Sequence, residues 1–247
     1  MLTDAFPMEA NVHERDSVMR AARAFGAFRI AFKELIAHYN GLSKVKPTNI
    51  EHQKNVTFPY PKSFTNSEGI TTLFTYSKRF DPSKLIFIAA IDQSKLFIKF
   101  TQCYSKDAHQ YCATAGFAPK LYSVTQLPAG WFMVVMEYLE PAMYRNLEPQ
   151  DKESTHLVKE IVTHLHKGGF VHGDIRPINM MVHREWYSIT GERKLLLLDF
   201  DWAGPEDEVK YPLDVNSHSI MRHGGVCGGA GIRKEHDWFM VEHLFDP

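Results

Sequence analysis

The chain has 247 residues, 44% of them apolar and 23% charged, with a net charge of −1. That is the make-up of an ordinary globular chain with room for one large domain or two small ones. The near-neutral balance and the lack of a Lys/Arg block give no field that would draw nucleic acid or an anionic membrane surface, and no apolar run is long enough to span a bilayer. The three cysteines, Cys103, Cys112 and Cys227, are odd in number and lack metal-type spacing. They predict a reducing, intracellular and most simply cytoplasmic setting. The opening residues are too acidic and too broken for a signal or transit peptide. The 13 histidines show no HExxH pattern, so they are expected on solvated surfaces and helix faces.

Along the chain, Phe25, Phe28, Phe32, Leu35, Ile36 and Tyr39 recur at steps of three and four. They predict an amphipathic helix over 16–40, closed by Asn40-Gly41. Residues 43–70, with Pro47, Pro59, Pro61 and Gly69, read as loop. "KLIFIAAI" (84–91) and "KLFIKF" (95–100) predict two strands joined by a tight turn. "YSKDAHQYCATAGF" (104–117) reads as a short helix and "WFMVVMEYL" (131–139) as a buried strand. "DKESTHLVKEIVTHLHKGG" (151–169) predicts a helix with Leu157, Ile161, Val162 and Leu165 on one stripe, ended by Gly168-Gly169. "NMMVHREWYSITGERKLLLLDF" (179–200) reads as strand, turn, strand, with the turn at "TGER". The run "GGVCGGAG" (224–231) lacks the strand and the Gly-Lys-Ser/Thr end that a phosphate cradle needs, so a mobile segment is the simpler expectation. "RKEHDWFMVEHLF" (233–245) reads as a final helix. The order predicts an α+β layout, β-rich first and helical second.

Within this layout Asp174 and Asn179 follow a long helix, and Asp199 ends the apolar strand "KLLLL". Hard oxygen groups at neighbouring strand ends suit Mg²⁺. Alternation in "LFIKF" puts Phe97 and Lys99 on one face and Leu96, Ile98 and Phe100 on the other. A lysine inside an apolar strand makes sense if it meets an anion. Each residue also has a plainer reading: Asp174 and Asn179 as turn formers, Asp199 as a solvated strand end, Lys99 as a side chain reaching for the surface.

These motifs resemble the protein kinase superfamily. "HGDIRPIN" (172–179) is similar to its catalytic loop H-R-D-x-K-P-x-N, and "DFD" (199–201) to its metal-binding D-F-G. The combination of "HGDIRP", "DFDWAG" and "EHD" looks closest to kinase-like proteins of fungi. The resemblance implies a two-lobe protein kinase-like fold with a β-rich N-lobe and a shortened helical C-lobe. It divides the chain into an N-terminal helical extension (1–56), an N-lobe (57–136) and a C-lobe (137–247) that is truncated after the Asp237 helix. It implies an ATP-dependent phosphotransferase using Mg²⁺ that moves the γ-phosphoryl to a hydroxyl of a protein or small molecule. Asp174 and Arg176 would serve catalysis. Lys99, with the backbone at Glu137 and Leu139, would hold the nucleotide, and Asn179 and Asp199 the metal. Asp237 would brace the catalytic loop. Neither nucleic acid nor membrane is an expected partner.

The pattern also departs from the family. No glycine lies between Gly69 and Gly116, so "SKRFDPSK" (77–84) would cover the phosphates without small residues. The helix position that carries a lysine-pairing glutamate in kinases falls on His109, with Asp107 a nearby substitute. Gly173 stands for the catalytic-loop arginine, which makes control by a phosphorylated loop an unexpected feature here. Asp201 stands for the triplet's glycine and adds a carboxylate, either an extra metal ligand or a hindrance to phosphate. The alternative reading is therefore a degenerate kinase serving as a nucleotide-binding or scaffold module; a pure interaction domain is a third.

Overall fold

In the computed structural model, which describes residues 15–42, 59, 61–81, 83–92, 94–187 and 193–246, the first element is helix α1, Arg15–Leu42. It runs past the expected Asn40-Gly41 stop. Its stripe of Phe28, Phe32, Leu35, Ile36 and Tyr39 is exposed. It belongs to a unit spanning Met1–Tyr60, and a second unit spans Pro61–Pro247.

The second unit begins with strands the sequence had not disclosed. β1 (Ser63–Thr65) and β2 (Thr71–Leu73) form an antiparallel hairpin inside and just past the stretch expected to be loop. The Asn66 side chain closes its turn by accepting from the N–H groups of Glu68 and Ile70 at 3.0 and 2.9 Å. Next comes a five-stranded antiparallel sheet of β3 (Thr75–Asp81), β4 (Ile86–Ile91), β5 (Ser94–Thr101), β6 (Leu121–Gln126) and β7 (Phe132–Glu137), in spatial order β3-β4-β5-β7-β6. β4 and β5 are the expected strand pair. The alternation in β5 holds: Leu96, Ile98 and Phe100 enter a core with Phe87, Ala89, Met133 and Val135, and Lys99 lies on the other face. Helix α2 (Lys106–Thr114) connects β5 to β6; Ser105 caps it by accepting from the Ala108 N–H at 3.3 Å.

After β7 the chain passes through β8 (Tyr144–Asn146) and a 3₁₀ turn, Pro149–Ser154, into α3 (Thr155–Lys167). The predicted stripe of α3, Leu157, Ile161, Val162 and Leu165, is buried and, together with Val158, packs with Met180, Leu195, Leu197, Phe200, Met240 and Val241. Fully burying an aliphatic side chain of this size contributes roughly 1.5–3 kcal/mol, so this cluster anchors the segments that carry the polar motifs. β9 (Phe170–Val171) pairs with β12 (Gly204–Pro205). β10 (Met180–Tyr187) pairs with β11 (Arg193–Leu197) and with β8. The expected "TGER" turn lies largely outside the described residues. Helix α4 (Lys234–Glu242) is the last element.

The glycine run at 224–231 is largely exposed but is joined to the preceding segment by backbone hydrogen bonds. Tyr211 N–H donates to Ala230 O at 2.9 Å, Gly229 N–H to Tyr211 O at 3.1 Å and Ile232 N–H to Val209 O at 3.0 Å. A Cβ on Gly228 would stand 2.4 Å from Leu213 O, so small residues here permit close backbone approach. No helix among the described residues is long and apolar enough to cross a membrane.

Candidate functional site

The turn from β9 into the catalytic-loop motif is set by Asp237 on α4. Its carboxylate, fully buried, accepts from His172 N–H at 2.8 Å and from Gly173 N–H at 2.7 Å, and lies 3.0 Å from His166 Nε2. This is the expected brace. Gly173 has φ +79°, so the backbone favours glycine, and a Cβ there would also press on the Ile232 side-chain tip at 2.9 Å. His172 Nδ1 accepts from Asp174 N–H at 3.2 Å. That leaves Nε2 protonated to donate to Leu198 O at 3.0 Å. The imidazole thereby ties the 172–179 loop to the residue before Asp199. A second tie is Leu198 N–H to Asn179 O, 2.8 Å.

Four donors converge on the Asp174 carboxylate. Arg176 supplies Nε and Nη2, Arg222 supplies Nη2 and Asn179 supplies Nδ2, each at 2.7 Å. Burial alone would push this acid up, but the charges and hydrogen bonds of Arg176 and Arg222 outweigh it and hold its pKa below the usual range. The two arginines differ. Arg176 is 32% exposed, whereas Arg222 is 2% exposed. Arg222 also donates to Gly173 O at 3.0 Å and to Asn216 O at 2.9 Å, and its guanidinium sits 5.3 Å from the Trp202 ring centre. The sequence reading missed Arg222 because 48 residues separate it from Asp174 and no local pattern marks it. Asn179 Nδ2 also donates to Asp174 O at 2.9 Å, which leaves Oδ1 as its ligand atom.

On the sheet side, Lys99 Nζ lies 2.6 Å from Asp199 Oδ1 and 2.8 Å from Asp201 Oδ1. Burial opposes the ammonium charge, yet the two carboxylates prevail and raise its pKa. Burial likewise opposes ionisation of Asp199, but Lys99 holds its pKa down. Asp201 goes the other way: burial and then the Asp199 charge push it up to about 6. Asp199 adopts φ +62°, a left-handed backbone rare for non-glycine residues and common at functional sites.

His109, at the helix position where a glutamate was sought, is fully buried. Its Nε2 donates to Pro119 O at 2.8 Å and Nδ1 accepts from Tyr104 Oη at 2.6 Å. Its ring stacks on Phe200 with centres 4.7 Å apart. Burial pushes its pKa down to about 4, so it is neutral. Asp107 does not reach Lys99 either; it lines a separate open hollow of about 430 Å³ with Gln110, Tyr111 and Phe170. His109, His172, His183 and His236 are buried, His109 and His236 on helix faces as expected. Hydrogen bonds offset desolvation, such as those to Pro119 O for His109 and Leu198 O for His172.

The remaining sequence-predicted positions lie at the end of β7. Glu137 N–H donates to Lys120 O at 2.9 Å, and its carboxylate accepts from Lys120 N–H at 3.1 Å. Leu139 is buried against Tyr144 and Leu196. Its backbone N–H and C=O take part in no backbone hydrogen bond among the described residues.

The donor set suits a hard divalent cation. It offers the Asp199 carboxylate and the Asn179 amide oxygen, with Asp201 beside them, its buried Oδ1 2.8 Å from the Lys99 ammonium. A second cluster, His223, Glu235 and His236, brings its ligand atoms within 4.8 Å of one another. There the Nδ1 atoms already accept backbone N–H groups of Gly225 and Arg233 at 3.1 and 3.3 Å. The opposite nitrogens are then protonated, which does not suit a metal.

The fold is protein kinase-like and α+β. Vaccinia related kinase 3 is similar in structure, with a TM-score of 0.50 and 14% identity over 74% of this chain and 66% of that one. The Cydia pomonella granulovirus kinase PK-1 also aligns, with a TM-score of 0.46 and 14% identity over 70% of this chain and 68% of that one. No protein-family model and no curated protein matches the sequence.

Proposed function

We propose that this chain is an ATP-dependent phosphotransferase that moves the γ-phosphoryl group to a hydroxyl of a protein or small molecule, within the fungal group that its "HGDIRP" and "DFDWAG" motifs resemble. One observation carries the reading. Lys99 and Asp199 bond directly, Leu198 bonds Asn179, and Asn179 bonds Asp174, so the strand lysine, the metal-type ligands and the loop acid form one continuous polar track. The lobe border falls at Met136–Glu137, with the helical extension before residue 57.

In this reading Asp199 and the Asn179 amide oxygen would hold Mg²⁺, which would supply charge neutralisation at the phosphates. Lys99 grips the phosphates from the sheet side. The unbonded N–H and C=O of Leu139, beside Glu137, offer adenine a backbone pair. Arg176, the more exposed arginine partner of Asp174, would leave the carboxylate for the transferred phosphate and open an acceptor position on each of its oxygens, one of them for the substrate hydroxyl. Asp174 would then orient that hydroxyl and take its proton as the hydroxyl oxygen bonds to the γ-phosphorus and the bond from that phosphorus to the β–γ bridging oxygen breaks, releasing ADP. The test is radiolabel transfer from γ-labelled ATP. Activity in the wild type, lost in Asp174→Ala while Mg-ATP still raises the melting temperature, supports an enzyme.

A second reading, a nucleotide-binding or scaffold module without turnover, is favoured by the four donors that saturate Asp174. Stabilisation by Mg-ATP with no transfer to any hydroxyl acceptor would select it.

A further inference from the structure

We infer that Asp201 is the positioning residue of Lys99, fixing the ammonium from within the "DFD" triplet while Asp199 is left free to serve the metal. The inference rests on the nucleotide-binding reading above and adds a role for a residue that departs from the kinase pattern.

A lysine whose side chain is 14% exposed needs a lasting counter-charge. Two carboxylates meet it, and they are not equivalent. Asp199 is 39% exposed and Asp201 is 24% exposed. Asp201 also meets the lysine's own strand: its Oδ2 lies 3.1 Å from Thr101 Oγ1, whose one proton it shares with Cys103 O at 3.0 Å. Lys99 and Thr101 are two residues apart on β5, so they share a face and grip one carboxylate together. Once a divalent ion draws on Asp199, Asp201 is the acid that remains with Lys99.

The neighbouring helix supplies no alternative. The α2 side chain packed toward the triplet is neutral His109, whose two nitrogens are committed to Pro119 and Tyr104. Asp107 faces the hollow beside Tyr111. The helix is itself tied to the triplet, because Ser105 N–H donates to Phe200 O at 3.0 Å and His109 stacks on the Phe200 ring. The lysine's placement is thus built from β5 and the triplet alone, and a shift of α2 would not break an ion pair to it.

The experiment measures affinity for a fluorescent ATP analogue with Mg²⁺ across a mutant cycle. Asp201→Ala is expected to weaken binding about tenfold and Thr101→Val about threefold, in line with losing a charged contact and its support. In a Lys99→Met background Asp201→Ala should cause no further loss, and in an Asp201→Ala background Thr101→Val should cause none. A general structural defect would instead add its effect in every background. Additive losses, or an Asp201→Ala protein that binds like the wild type, overturn the inference. A parallel cycle of ligand-free melting temperatures for Lys99→Met and Asp201→Ala keeps the two claims separate. If the wild type binds no nucleotide, the function proposed above fails. The melting cycle then still decides for Asp201: non-additive shifts support the pairing, and additive shifts refute it.

Discussion

His109 is a neutral imidazole sealed between Phe200, Tyr104 and the Pro119 carbonyl. Its pKa is about 4 in the folded protein, against the ordinary 6.5 of a solvated imidazole. The unfolded chain therefore binds a proton first as pH falls. The stability that His109 contributes is fully present above about pH 6.5 and declines until the folded pKa near 4 is reached. At about 1.4 kcal/mol per pH unit, the loss is roughly 3 kcal/mol, a large part of the 5–15 kcal/mol by which domains are usually stable. His109→Gln can keep an amide donor for Pro119 and an acceptor for Tyr104 but does not titrate. Urea unfolding of both proteins at pH 7.0 and 4.5 isolates the imidazole, since other acids contribute to both. Between those two pH values the wild type should lose about 2 kcal/mol more than His109→Gln loses. Equal losses would show that His109 is not held neutral by burial, and that its stacking on the triplet is not sealed from water.

Three further outcomes follow from the site. Asp237→Ala removes the acceptor of two buried backbone N–H groups and should cost about 3 kcal/mol or more in chemical unfolding, with disordered 172–174 amides in NMR spectra. Gly173→Ala combines φ +79° with a 2.9 Å approach to Ile232 and should lower stability by about 1–3 kcal/mol; an unchanged melt would show that the loop relaxes freely. Arg222→Met leaves Asp174 with one arginine. Transfer should fall by about tenfold or more with ATP affinity little changed, and the acid limb of the pH–rate profile should move to higher pH. A loss confined to ATP binding would place Arg222 outside the catalytic loop's support.

The parts legible in the sequence were those written in local patterns. The alternation of "LFIKF" separated Lys99 from the core face of β5, and the three- and four-residue steps of α3 marked the stripe that packs with Ile175 and Met180 at the 172–179 loop. "HGDIRPIN", "DFD" and "EHD" pointed to residues that the fold does bring together, the Asp237 brace included. What escaped was polar or distant. β3 reads "TYSKRFD" and is mostly exposed, and β1, β2 and β6 carry few apolar residues, so no hydrophobic period announces them. The position of His109 was flagged, yet its partners are a tyrosine hydroxyl and a carbonyl that composition cannot foresee. Arg222 and the Asp201–Thr101 contact span 48 and 100 residues, too far for any motif to reach.

The most direct measurement is calorimetric titration of ATP with and without Mg²⁺ into the wild type, Lys99→Met and Asp199→Asn. The account predicts binding that Mg²⁺ strengthens in the wild type, a Mg²⁺ effect abolished in Asp199→Asn, and weak binding in Lys99→Met under both conditions. Affinities that are the same in all three proteins would contradict it.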